Sequence, residues 1–384
     1  MTDRLKIAFV VHDYNNYGGH SRYVAELARR YRDRHEVHVF ANTIDDTDID
    51  GIVFHRVPAI RRSALSTVLT FVVPATLMVR GGFDIVHAQG LCGLRQNVTT
   101  AHMVLGAWYD AILRETGRLT WKQRVFRAFG QSLERTTYRR RLSPAAIAVS
   151  GRVREDLARC YNRRDEVSVI HHGVDCSTFV PRPPGVDVGS LRKALGLPTA
   201  PFLCLYAGDM QKGAIPAIRA IARVPGVHLA IVSRTPDGPY RELARLEGVA
   251  DRVHFYPFSQ RIQDWFAAVD LFVYPTWYDP FGMVVSEAMA CGTPVLTSPA
   301  AGASEWITHA VDGWLTRGAW DIGQIAGGIA ALAGMDRAEL HKMGERARRA
   351  AEPHTWDRVA ERTMAVYRER LDREKLRGGS PTWG

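Results

Sequence analysis

The chain has 384 residues, a length that favours two domains over one. Hydrophobic residues make up 46% of it and charged residues 23%, which are globular values and exclude a disordered or fibrous protein. The net charge is +10, and residues 1–180 carry 26 Lys and Arg against 18 Asp and Glu, so we expect an anionic partner or surface for the N-terminal half.

The composition also indicates the compartment. No run of 18 uncharged apolar residues is present, so we expect no membrane-spanning helix. The apolar stretch from Ile7 to Val11 is too short for a signal peptide and is typical of a first strand. Five cysteines without close spacing favour a reducing cytosol over a disulfide framework or a zinc site. We therefore expect a cytoplasmic protein.

Short apolar runs alternate with helical patterns through residues 1–180, which is typical of a doubly wound α/β domain. The predicted strands are Leu5–Val11, Glu36–Phe40, Asp84–His87, Val98–Thr100, Ala145–Val149 and Val167–Ile170. The predicted helices are Ser21–Arg34, Ala64–Val79 and Trp121–Leu142.

A proline-rich break at residues 180–185 predicts a linker, and the α/β alternation then restarts. The predicted strands of the second half are Phe202–Tyr206, Val227–Val232, Val253–Phe255, Leu271–Tyr274 and Val295–Thr297. A last helical pattern begins at Trp356 and ends near Arg373, and residues 374–384 have the composition of a disordered tail.

The segment from Tyr278 to Val295 carries the most specific pattern of the chain. Two carboxylates, Asp279 and Glu287, stand eight positions apart on either side of a turn that opens a helix. Backbone amides at such a helix start can bind an anion, and carboxylates accept hydrogen bonds from sugar hydroxyls. The predicted donor-binding residues of this turn are Phe281, Gly282, Met283 and Val284.

This segment resembles the E-x7-E signature of family 4 retaining glycosyltransferases. The resemblance implies the GT-B fold, an α/β architecture of two Rossmann-like doubly wound domains that face each other across a cleft. It further implies an acceptor-binding domain at 1–180, a nucleotide-sugar domain at 181–354 and a helix at 355–373 that crosses back to the first domain. In the family the second acid contacts the ribose, which Glu287 matches, and the first contacts the donor sugar. Asp279 stands where the family more often has Glu.

Two further loops fit this resemblance. Gly18 and Gly19 follow the first strand and match the glycine loop that faces the donor diphosphate and the acceptor. Lys212 follows the strand Phe202–Tyr206 and resembles the diphosphate-binding Lys of the family.

The Lys212 loop departs from the family in one respect. The family usually has Gly-Arg at its start, whereas this chain has Gly208-Asp209, so one cation is missing. Arg234, which follows the next strand, is a candidate substitute, and Phe258 is expected beside the base. The loop Gly302–Glu305 matches one that the family places near the nucleotide.

Three histidines follow predicted strands of the first half. His102 corresponds to a family residue near the reacting centre, and we expect it to orient the donor rather than to act as an obligatory base. The adjacent pair His171 and His172 could suggest a metal, but neither a Cys nor an acidic cluster accompanies it, and a hinge turn is the favoured interpretation. The acidic run from Asp45 to Asp50 is expected to be a solvated loop, and no metal or other cofactor is expected.

A basic helix is a separate signal. Residues 114–141 carry nine cations against Glu115 and Glu134, with apolar side chains recurring at helical spacing. Such a helix can lie on an anionic bilayer, or it can pack its apolar stripe on the domain and leave its arginines in water. The residues of this candidate membrane or acceptor surface are Arg118, Trp121, Lys122, Arg124, Arg127, Arg139, Arg140 and Arg141. No nucleic-acid-binding motif is present, and nucleic acid is not an expected partner.

The sequence thus predicts a metal-independent retaining glycosyltransferase. It would move a sugar from a nucleotide-sugar donor, expected to be UDP-linked, to a hydroxyl of a glycan, glycolipid or lipopolysaccharide-type acceptor. We expect it in the cytoplasm, with peripheral contact to the inner face of the plasma membrane as an option. The alternatives are another GT-B enzyme, such as a nucleotide-sugar epimerase, and a non-catalytic nucleotide-sugar-binding membrane scaffold.

Overall fold

The computed structural model describes residues 4–15, 18–45, 48–183, 185–199 and 202–376, except for the side chains of residues 64 and 65. The described chain forms two compact units. Unit 1 comprises the residues up to Gly173 together with those from Trp356 onward, and unit 2 comprises Val174–Thr355. The chain therefore enters unit 2 ahead of the proline-rich segment that the sequence suggested as a linker.

Unit 1 is built around a parallel sheet whose strand order is β5-β3-β1-β6-β7-β8-β9. Its strands are β1 (Lys6–Val10), β2 (Asp13–Asn15), β3 (Glu36–Ala41), β4 (Thr43–Asp45), β5 (Ile52–Arg56), β6 (Ile85–Gln89), β7 (Val98–Ala101), β8 (Ala145–Ala148) and β9 (Val167–Val169), of which β2 and β4 pair separately. Its first five helices are α1 (Gly19–Tyr31), α2 (Ala64–Met78), α3 (Leu105–Thr116), α4 (Trp121–Thr137) and α5 (Gly151–Tyr161).

The central strands of unit 1 are buried along almost their whole length, because helices cover a parallel sheet on both faces. In the register of the sheet Phe9 lies opposite Val39 on one side and His87 on the other. The edge strand Ile52–Arg56 was missed by the sequence prediction. It contains exposed and polar positions, so it lacks the continuous apolar run of a central strand.

Helix α4 is shorter than predicted. It ends at Thr137, and Arg139 to Leu142 form a turn in which the Leu142 amide donates to the Arg139 carbonyl over 2.9 Å. Pro144 disfavours the helical conformation of the residue before it, which is a physical reason for a stop ahead of the predicted end at Leu142. Arg139, Arg140 and Arg141 thus lie beyond the helix rather than on it.

The final helix, α13 (Trp356–Leu376), belongs to unit 1 and packs on α1. The Tyr31 hydroxyl donates to the Ala360 carbonyl over 2.7 Å, and the Tyr367 hydroxyl lies 2.6 Å from His87 Nδ1. Residues 374–376, predicted as part of a disordered tail, continue this helix, and an i,i+4 ion pair between Arg370 and Glu374 stabilises its last turn. Residues 377–384 lie outside the described part of the chain.

Unit 2 contains a second parallel sheet, with the strand order β12-β11-β10-β13-β14-β15. Its strands are β10 (Phe202–Ala207), β11 (Val227–Ser233), β12 (Val253–Pro257), β13 (Leu271–Tyr274), β14 (Val295–Thr297) and β15 (Trp314–Leu315). Its helices are α6 (Val188–Ala194), α7 (Ala214–Ala222), α8 (Gly238–Leu246), α9 (Ile262–Ala268), α10 (Met283–Ala290), α11 (Ile322–Ala333) and α12 (Arg337–Ala351), with short 3₁₀ turns at Met210–Lys212 and Gly302–Trp306.

The strand orders define where each sheet can bind a ligand. The direction of winding reverses between β1 and β6 in unit 1 and between β10 and β13 in unit 2. Ligands of open α/β sheets bind at such switch points, outside the carboxyl ends of the strands. The loops that follow these four strands are therefore the places to look for a functional site.

Two glycines bring helices α10 and α12 into backbone contact in unit 2. A Cβ atom at Gly344, in the middle of α12, would overlap the carbonyl oxygen of Gly292, just beyond the end of α10. Arg348, one turn further along α12, donates from Nη1 to the Ala290 carbonyl over 2.6 Å. The end of α10 is thus held by α12 through close packing and a charge-assisted hydrogen bond.

Candidate functional site

Asp279 lies at the switch point of unit 2, in the loop after β13. Its amide donates to the Ala300 carbonyl over 2.9 Å, and its own carbonyl accepts from the Gly302 amide over 3.1 Å. These two bonds tie the loop after β13 to the loop after β14. The carboxylate of Asp279 is therefore fixed at the carboxyl edge of the sheet, where it is 9% exposed.

Two donors converge on one oxygen of this carboxylate. Lys212 Nζ lies 2.9 Å from Asp279 Oδ2, and the Tyr274 hydroxyl donates to the same oxygen over 2.8 Å. Burial raises the pKa of Tyr274 well above its usual value, and the neighbouring carboxylate of Asp279 raises it further. Tyr274 therefore stays protonated and donates to Asp279 throughout the physiological pH range.

The backbone places Lys212 beside Asp279 by a close approach of two loops. Lys212 ends the 3₁₀ turn that follows β10, and its carbonyl accepts from the Trp277 amide over 3.1 Å. A Cβ atom at Gly213 would lie 2.7 Å from the Pro275 carbonyl oxygen, so only glycine permits this approach. Gly208, at the end of β10, has a φ of 123°, which also favours glycine.

The glycine turn of the signature opens α10 next to this pair. Gly282 has a φ of 79°, and an added Cβ would lie 3.6 Å from Asp279 Cγ. The Phe281 carbonyl accepts from the Ala303 amide over 2.6 Å, so the turn is anchored to the 3₁₀ turn of Gly302–Trp306. The first amides of α10, at Met283 and Val284, follow Gly282 directly. A helix start of this kind is suited to an anion.

Glu287 lies one turn into α10, on the same side as Met283. It is 8% exposed, whereas Glu305 of the neighbouring 3₁₀ turn is exposed. Lys212, Asp279, the Gly282 turn and the start of α10 form one continuous group, with Glu287 deeper along the helix. We call this group the unit 2 site.

The unexpected Asp209 has a structural role. Its Oδ1 accepts from the Gln211 amide over 3.0 Å and from the Thr235 hydroxyl over 3.1 Å, so it caps the 3₁₀ turn that carries Lys212. Arg234, the candidate substitute cation after β11, contacts Phe258, the residue expected beside the base after β12: the guanidinium carbon lies 3.7 Å from the ring centroid. Phe258 remains 43% exposed, so one face of the stacked pair can meet a ligand.

In unit 1 the predicted residue His102 lies at the end of β7 in a chain of polar side chains. Its Nε2 is 2.8 Å from Gln89 Oε1, and its Nδ1 is 3.2 Å from His172 Nε2. An amide oxygen can only accept, so Nε2 carries the proton and Nδ1 accepts from His172. Burial lowers the pKa of His102 well below its usual value, and His172 lowers it further. His102 is therefore a neutral, oriented ring, and Tyr23 packs against it at 5.0 Å.

The glycine loop of unit 1 leads into α1. The Gly18 amide donates to Asn15 Oδ1 over 3.0 Å, and α1 begins at Gly19 with an exposed first residue. Residues 16 and 17 lie outside the described part of the chain. Ser150 caps α5 by accepting from the Val153 amide over 3.2 Å, and Asp175 closes a turn through Ser177 and Thr178.

The metal interpretations find no support among the described residues, where no group of three His, Cys, Asp or Glu side chains could hold an ion. His172 instead contacts His102. Asp48 of the acidic run pairs with Arg32 over 2.6 Å and with Arg29 over 3.3 Å, so it is a structural partner of α1. The five cysteines are all unpaired.

Helix α4 divides its apolar residues between two faces. Phe126 packs towards Tyr109 of α3, with 6.4 Å between ring centroids. Trp121, Val125 and Phe129, spaced four apart, form a stripe that is 70%, 38% and 62% exposed. Phe126 therefore packs on the domain, which was one of the two interpretations of this helix, whereas the stripe of Trp121, Val125 and Phe129 remains exposed. No helix in the described residues combines the length and apolar character needed to cross a bilayer.

The cations around α4 also divide into two groups. Arg127 pairs with Asp110 over 2.9 Å, and Arg140 lies 3.1 Å from Glu166. Arg118, Lys122 and Arg124 are exposed and make no ion pair with the described residues. We call these three cations and the Trp121–Val125–Phe129 stripe the α4 surface.

Two sequence features of the site were not predicted. Tyr274 ends a predicted apolar strand, and the sequence pattern does not reveal that its hydroxyl extends into the loops at the carboxyl end of that strand. The contacts that His172 and Gln89 make with His102 join residues that are distant in the sequence, so no local sequence pattern indicates them.

The fold belongs to a known class. Two parallel-sheet, Rossmann-like units, each with polar loops at a switch point, define the GT-B glycosyltransferases. The structure of WaaG, a glycosyltransferase involved in lipopolysaccharide biosynthesis, superposes with a TM-score of 0.78 over 94% of this chain and 99% of that one, at 20% identity. The UDP-glucose complex of Anabaena HepE superposes with a TM-score of 0.72 over 95% of this chain and 100% of that one, also at 20% identity.

The family can be named from sequence. Residues 17–178 match the model of Glycosyltransferase Family 4, and residues 201–334 match that of Glycosyl transferases group 1. The chain thus contains a Glycosyltransferase Family 4 domain followed by a Glycosyl transferases group 1 domain, which confirms the resemblance of the signature. A D-inositol 3-phosphate glycosyltransferase of Xylanimonas cellulosilytica is 32% identical over 61% of this chain, and the match spans 59% of that relative.

Proposed function

We propose that this protein is a retaining glycosyltransferase that takes a sugar from a UDP-sugar and transfers it to a hydroxyl of a glycan, glycolipid or lipopolysaccharide-type acceptor. The observation that carries the proposal is the convergence of Lys212, Asp279 and the start of α10 at the switch point of unit 2. Family membership and a UDP-glucose complex in a protein of the same fold support this choice of donor.

In the proposed reaction Lys212 and the first amides of α10 stabilise the departing diphosphate. A lysine and a helix start supply fixed positive charge where negative charge develops, which is the role that a metal ion has in other transferases. Asp279 would accept from hydroxyls of the donor sugar, and Glu287 from the ribose. Arg234 stacked on Phe258 would provide an additional cation and an apolar face near the nucleotide.

The role proposed for His102 is to orient the donor by shaping its pocket, because Gln89 and His172 engage both of its ring nitrogens. Because its ring is neutral and its Nε2–H points to Gln89, it holds a fixed orientation and is not poised as an acid. Attack from the face that the diphosphate leaves would give retention without a protein nucleophile. We therefore expect a His102→Ala variant to lose turnover rather than to lose donor affinity.

The acceptor is proposed from chemistry and from relatives. Unit 1 contains the more basic part of the chain, and the α4 surface presents unpaired cations beside exposed aromatic rings. That combination fits a lipid-linked acceptor at an anionic membrane. One relative is named for D-inositol 3-phosphate, a phosphorylated polyol, and the WaaG enzyme of the same fold is involved in lipopolysaccharide biosynthesis, so both names are consistent with an anionic acceptor that carries hydroxyl groups.

Calorimetric titration with UDP, GDP and ADP, without added metal, tests the donor part. We expect selective binding of UDP to the wild type and a loss of roughly tenfold or more in affinity in Glu287→Ala. Glu242→Ala, which removes an exposed acid of α8, is the matched control and should bind normally. Equal UDP affinity in Glu287→Ala would show that the signature is not a donor site.

A non-catalytic nucleotide-sugar-binding scaffold is the second candidate, because Asp209 occupies the place of a family cation. Another GT-B enzyme, such as an epimerase, would keep the donor site and give a different product. Chromatography and NMR of the products from UDP-glucose and a lipid acceptor extract separate the three. A new glycoside indicates transfer, an isomerised sugar nucleotide indicates epimerisation, and unchanged reactants with intact UDP binding indicate a scaffold.

A further inference from the structure

A cavity of about 840 Å³ in unit 2 lies away from the unit 2 site. Asp270, which directly precedes β13, and Pro294, which directly precedes β14, both line it. The cavity is therefore at the amino edge of the sheet, whereas Lys212 and Asp279 are at the carboxyl edge. Its volume is within the range of small-molecule sites in proteins.

The lining of this cavity is rich in arginine. Five guanidinium groups face two carboxylates, Asp270 and Glu345. The arginines are Arg182, Arg192, Arg337, Arg348 and Arg349. Arg192 Nη2 lies 2.8 Å from one oxygen of Asp270, and Arg337 Nη1 lies 2.6 Å from the other, so two cations share one carboxylate and positive charge remains in excess.

Two side chains of α12 that line the cavity, Arg349 and His341, form no short ion pair with the described part of the chain. Arg349 is exposed and makes no hydrogen bond or ion pair with the described part of the chain. His341 lies 3.6 Å from Glu345, a long contact between exposed groups. His341, Glu345 and Arg349 follow each other at intervals of four, so they share one face of α12 along the cavity.

The rest of the wall is apolar. Pro181 and Val186, which are exposed, line the cavity, and the nearly buried side chains of Phe266, Val269 and Leu340 lie beside them in the lining. An inorganic ion would leave these surfaces unused. A ligand with a phosphate for the guanidinium groups and a carbon skeleton for the apolar wall would use both parts.

We propose that this cavity binds the phosphate ester of a small organic molecule, such as a sugar phosphate, at a site separate from the donor site. Arg349 and His341 contact the phosphate, and the exposed apolar side chains of Pro181 and Val186 cover the organic part. The inference goes beyond the proposed transfer reaction and does not depend on it, because no residue of the unit 2 site lines the cavity.

Helix α10 gives the cavity a physical connection to the donor site. The helix begins directly after Gly282 and ends at Ala290. Cys291 and Gly292, which follow its last residue, line the cavity. Arg348 also lines the cavity and donates to the Ala290 carbonyl at that end. Arg348 also pairs with Glu352 and donates to the carbonyls of Phe179 and Cys176. A phosphate that draws the Arg348 guanidinium away from the Ala290 carbonyl would therefore act on the helix whose first amides are proposed to hold the donor diphosphate.

The test is a calorimetric titration of the full chain, saturated with UDP, using glucose 6-phosphate as the probe and glucose as its uncharged counterpart. We expect binding of glucose 6-phosphate but not of glucose. The double variant Arg349→Gln/His341→Gln should weaken it about tenfold or more. Glu345→Gln should strengthen it severalfold, because it removes a carboxylate from the cavity. Arg245→Gln, at an exposed site on α8, is the matched control and should bind like the wild type.

Lys212→Gln separates this proposal from the proposed function. We expect it to keep its affinity for glucose 6-phosphate even where its UDP affinity falls. Absence of binding, equal affinity for glucose, or unchanged affinity in both the double variant and Glu345→Gln would overturn the proposal. Failure of UDP to bind in the same cell would count against the donor assignment alone.

Discussion

At the scale of single residues, Asp279 is organised around one oxygen. Oδ2 receives both Lys212 and Tyr274, so Oδ1 remains available to a substrate hydroxyl. The two donors also fix the orientation of the carboxylate, which makes it a dependable acceptor. Tyr274 is thus a positioning residue for Asp279, although it belongs to a strand.

Tyr274→Phe tests this role. The change keeps the ring and removes one hydrogen bond to a buried carboxylate, a loss of about 1.5 kcal/mol, equivalent to roughly tenfold in kcat/KM for the sugar nucleotide. Steady-state kinetics and a thermal melt should show lower activity with a small change in Tm. Tyr256→Phe removes a hydroxyl that donates to the Gly196 carbonyl and is the matched control. Wild-type kinetics in Tyr274→Phe would contradict the role.

The residues that could be predicted are those whose chemistry is local. Asp279, Gly282 and Glu287 lie in one short segment, and Lys212 follows a strand in a recognisable loop. Tyr274 could not be predicted in this way, because its strand is buried and its hydroxyl function depends on a loop five residues later. His172 was interpreted as part of a hinge turn, since its contact with His102 spans 70 positions in the sequence.

At the scale of elements, the helices α3, α4 and α5 meet at one buried carboxyl group. Glu134 of α4 is 2% exposed, accepts from the Leu105 amide at the start of α3 over 2.8 Å and accepts from the Tyr161 hydroxyl at the end of α5. Burial raises the pKa of Glu134 to about 8, although both hydrogen bonds act to lower it. The junction that holds the α4 surface in place therefore titrates near neutral pH.

The sign of the resulting pH dependence can be worked out. The folded protein keeps the Glu134 proton up to about pH 8, whereas the unfolded chain releases it near the ordinary value of 4.5. The folded state thus binds more protons between these values, and its free energy of unfolding falls as the pH rises through this window. Thermal melts from pH 5 to 8.5 should show a smaller decline for Glu134→Gln than for the wild type.

Glu155→Gln, an exposed change on the neighbouring helix α5, is the control and should follow the wild-type curve. Parallel curves for the wild type and Glu134→Gln would show that this carboxyl group does not titrate in the window. The same junction explains a limit of prediction: the sequence marks Glu134 as one of two acids in a basic helix, but its burial follows from the packing of three helices.

The helices and strands also divide into those that a local sequence pattern predicts and those that it does not. Central strands such as β1 and β10 are continuous apolar runs and were predicted within one or two residues. The edge strand β5 mixes exposed and buried positions and was missed. The end of α4 was placed five residues late, because the basic residues after Thr137 have helical propensity and the effect of Pro144 was not taken into account.

At the scale of the molecule, positive charge is concentrated in the half of the chain that forms most of unit 1. Of the net charge of +10, residues 1–180 contribute +8. The alternation of strands and helices was enough to predict two parallel-sheet units. It did not predict the boundary at Gly173, because the chain changes unit in an irregular segment after β9 and the prolines come later.

Membrane contact through the α4 surface predicts a specific loss of vesicle binding. Trp121→Ala/Phe129→Ala should reduce co-sedimentation with phosphatidylglycerol vesicles by about tenfold or more, since two exposed rings no longer enter the interface. Leu246→Ala, which removes an apolar side chain that is 68% exposed on unit 2, should leave binding unchanged. Binding that is insensitive to both the double variant and salt would exclude this surface.

The glycine contact between α10 and α12 has a consequence for thermal stability. Alanine at position 344 gains about 1 kcal/mol of helix propensity, but its methyl group would overlap the Gly292 carbonyl, and a backbone group cannot turn away as a side chain can. We expect the overlap to outweigh the gain and to lower Tm by several degrees. Gly344→Ala is thus expected to be temperature-sensitive: the variant would fold at low temperature and unfold on warming, which thermal melts of the variant and the wild type would show.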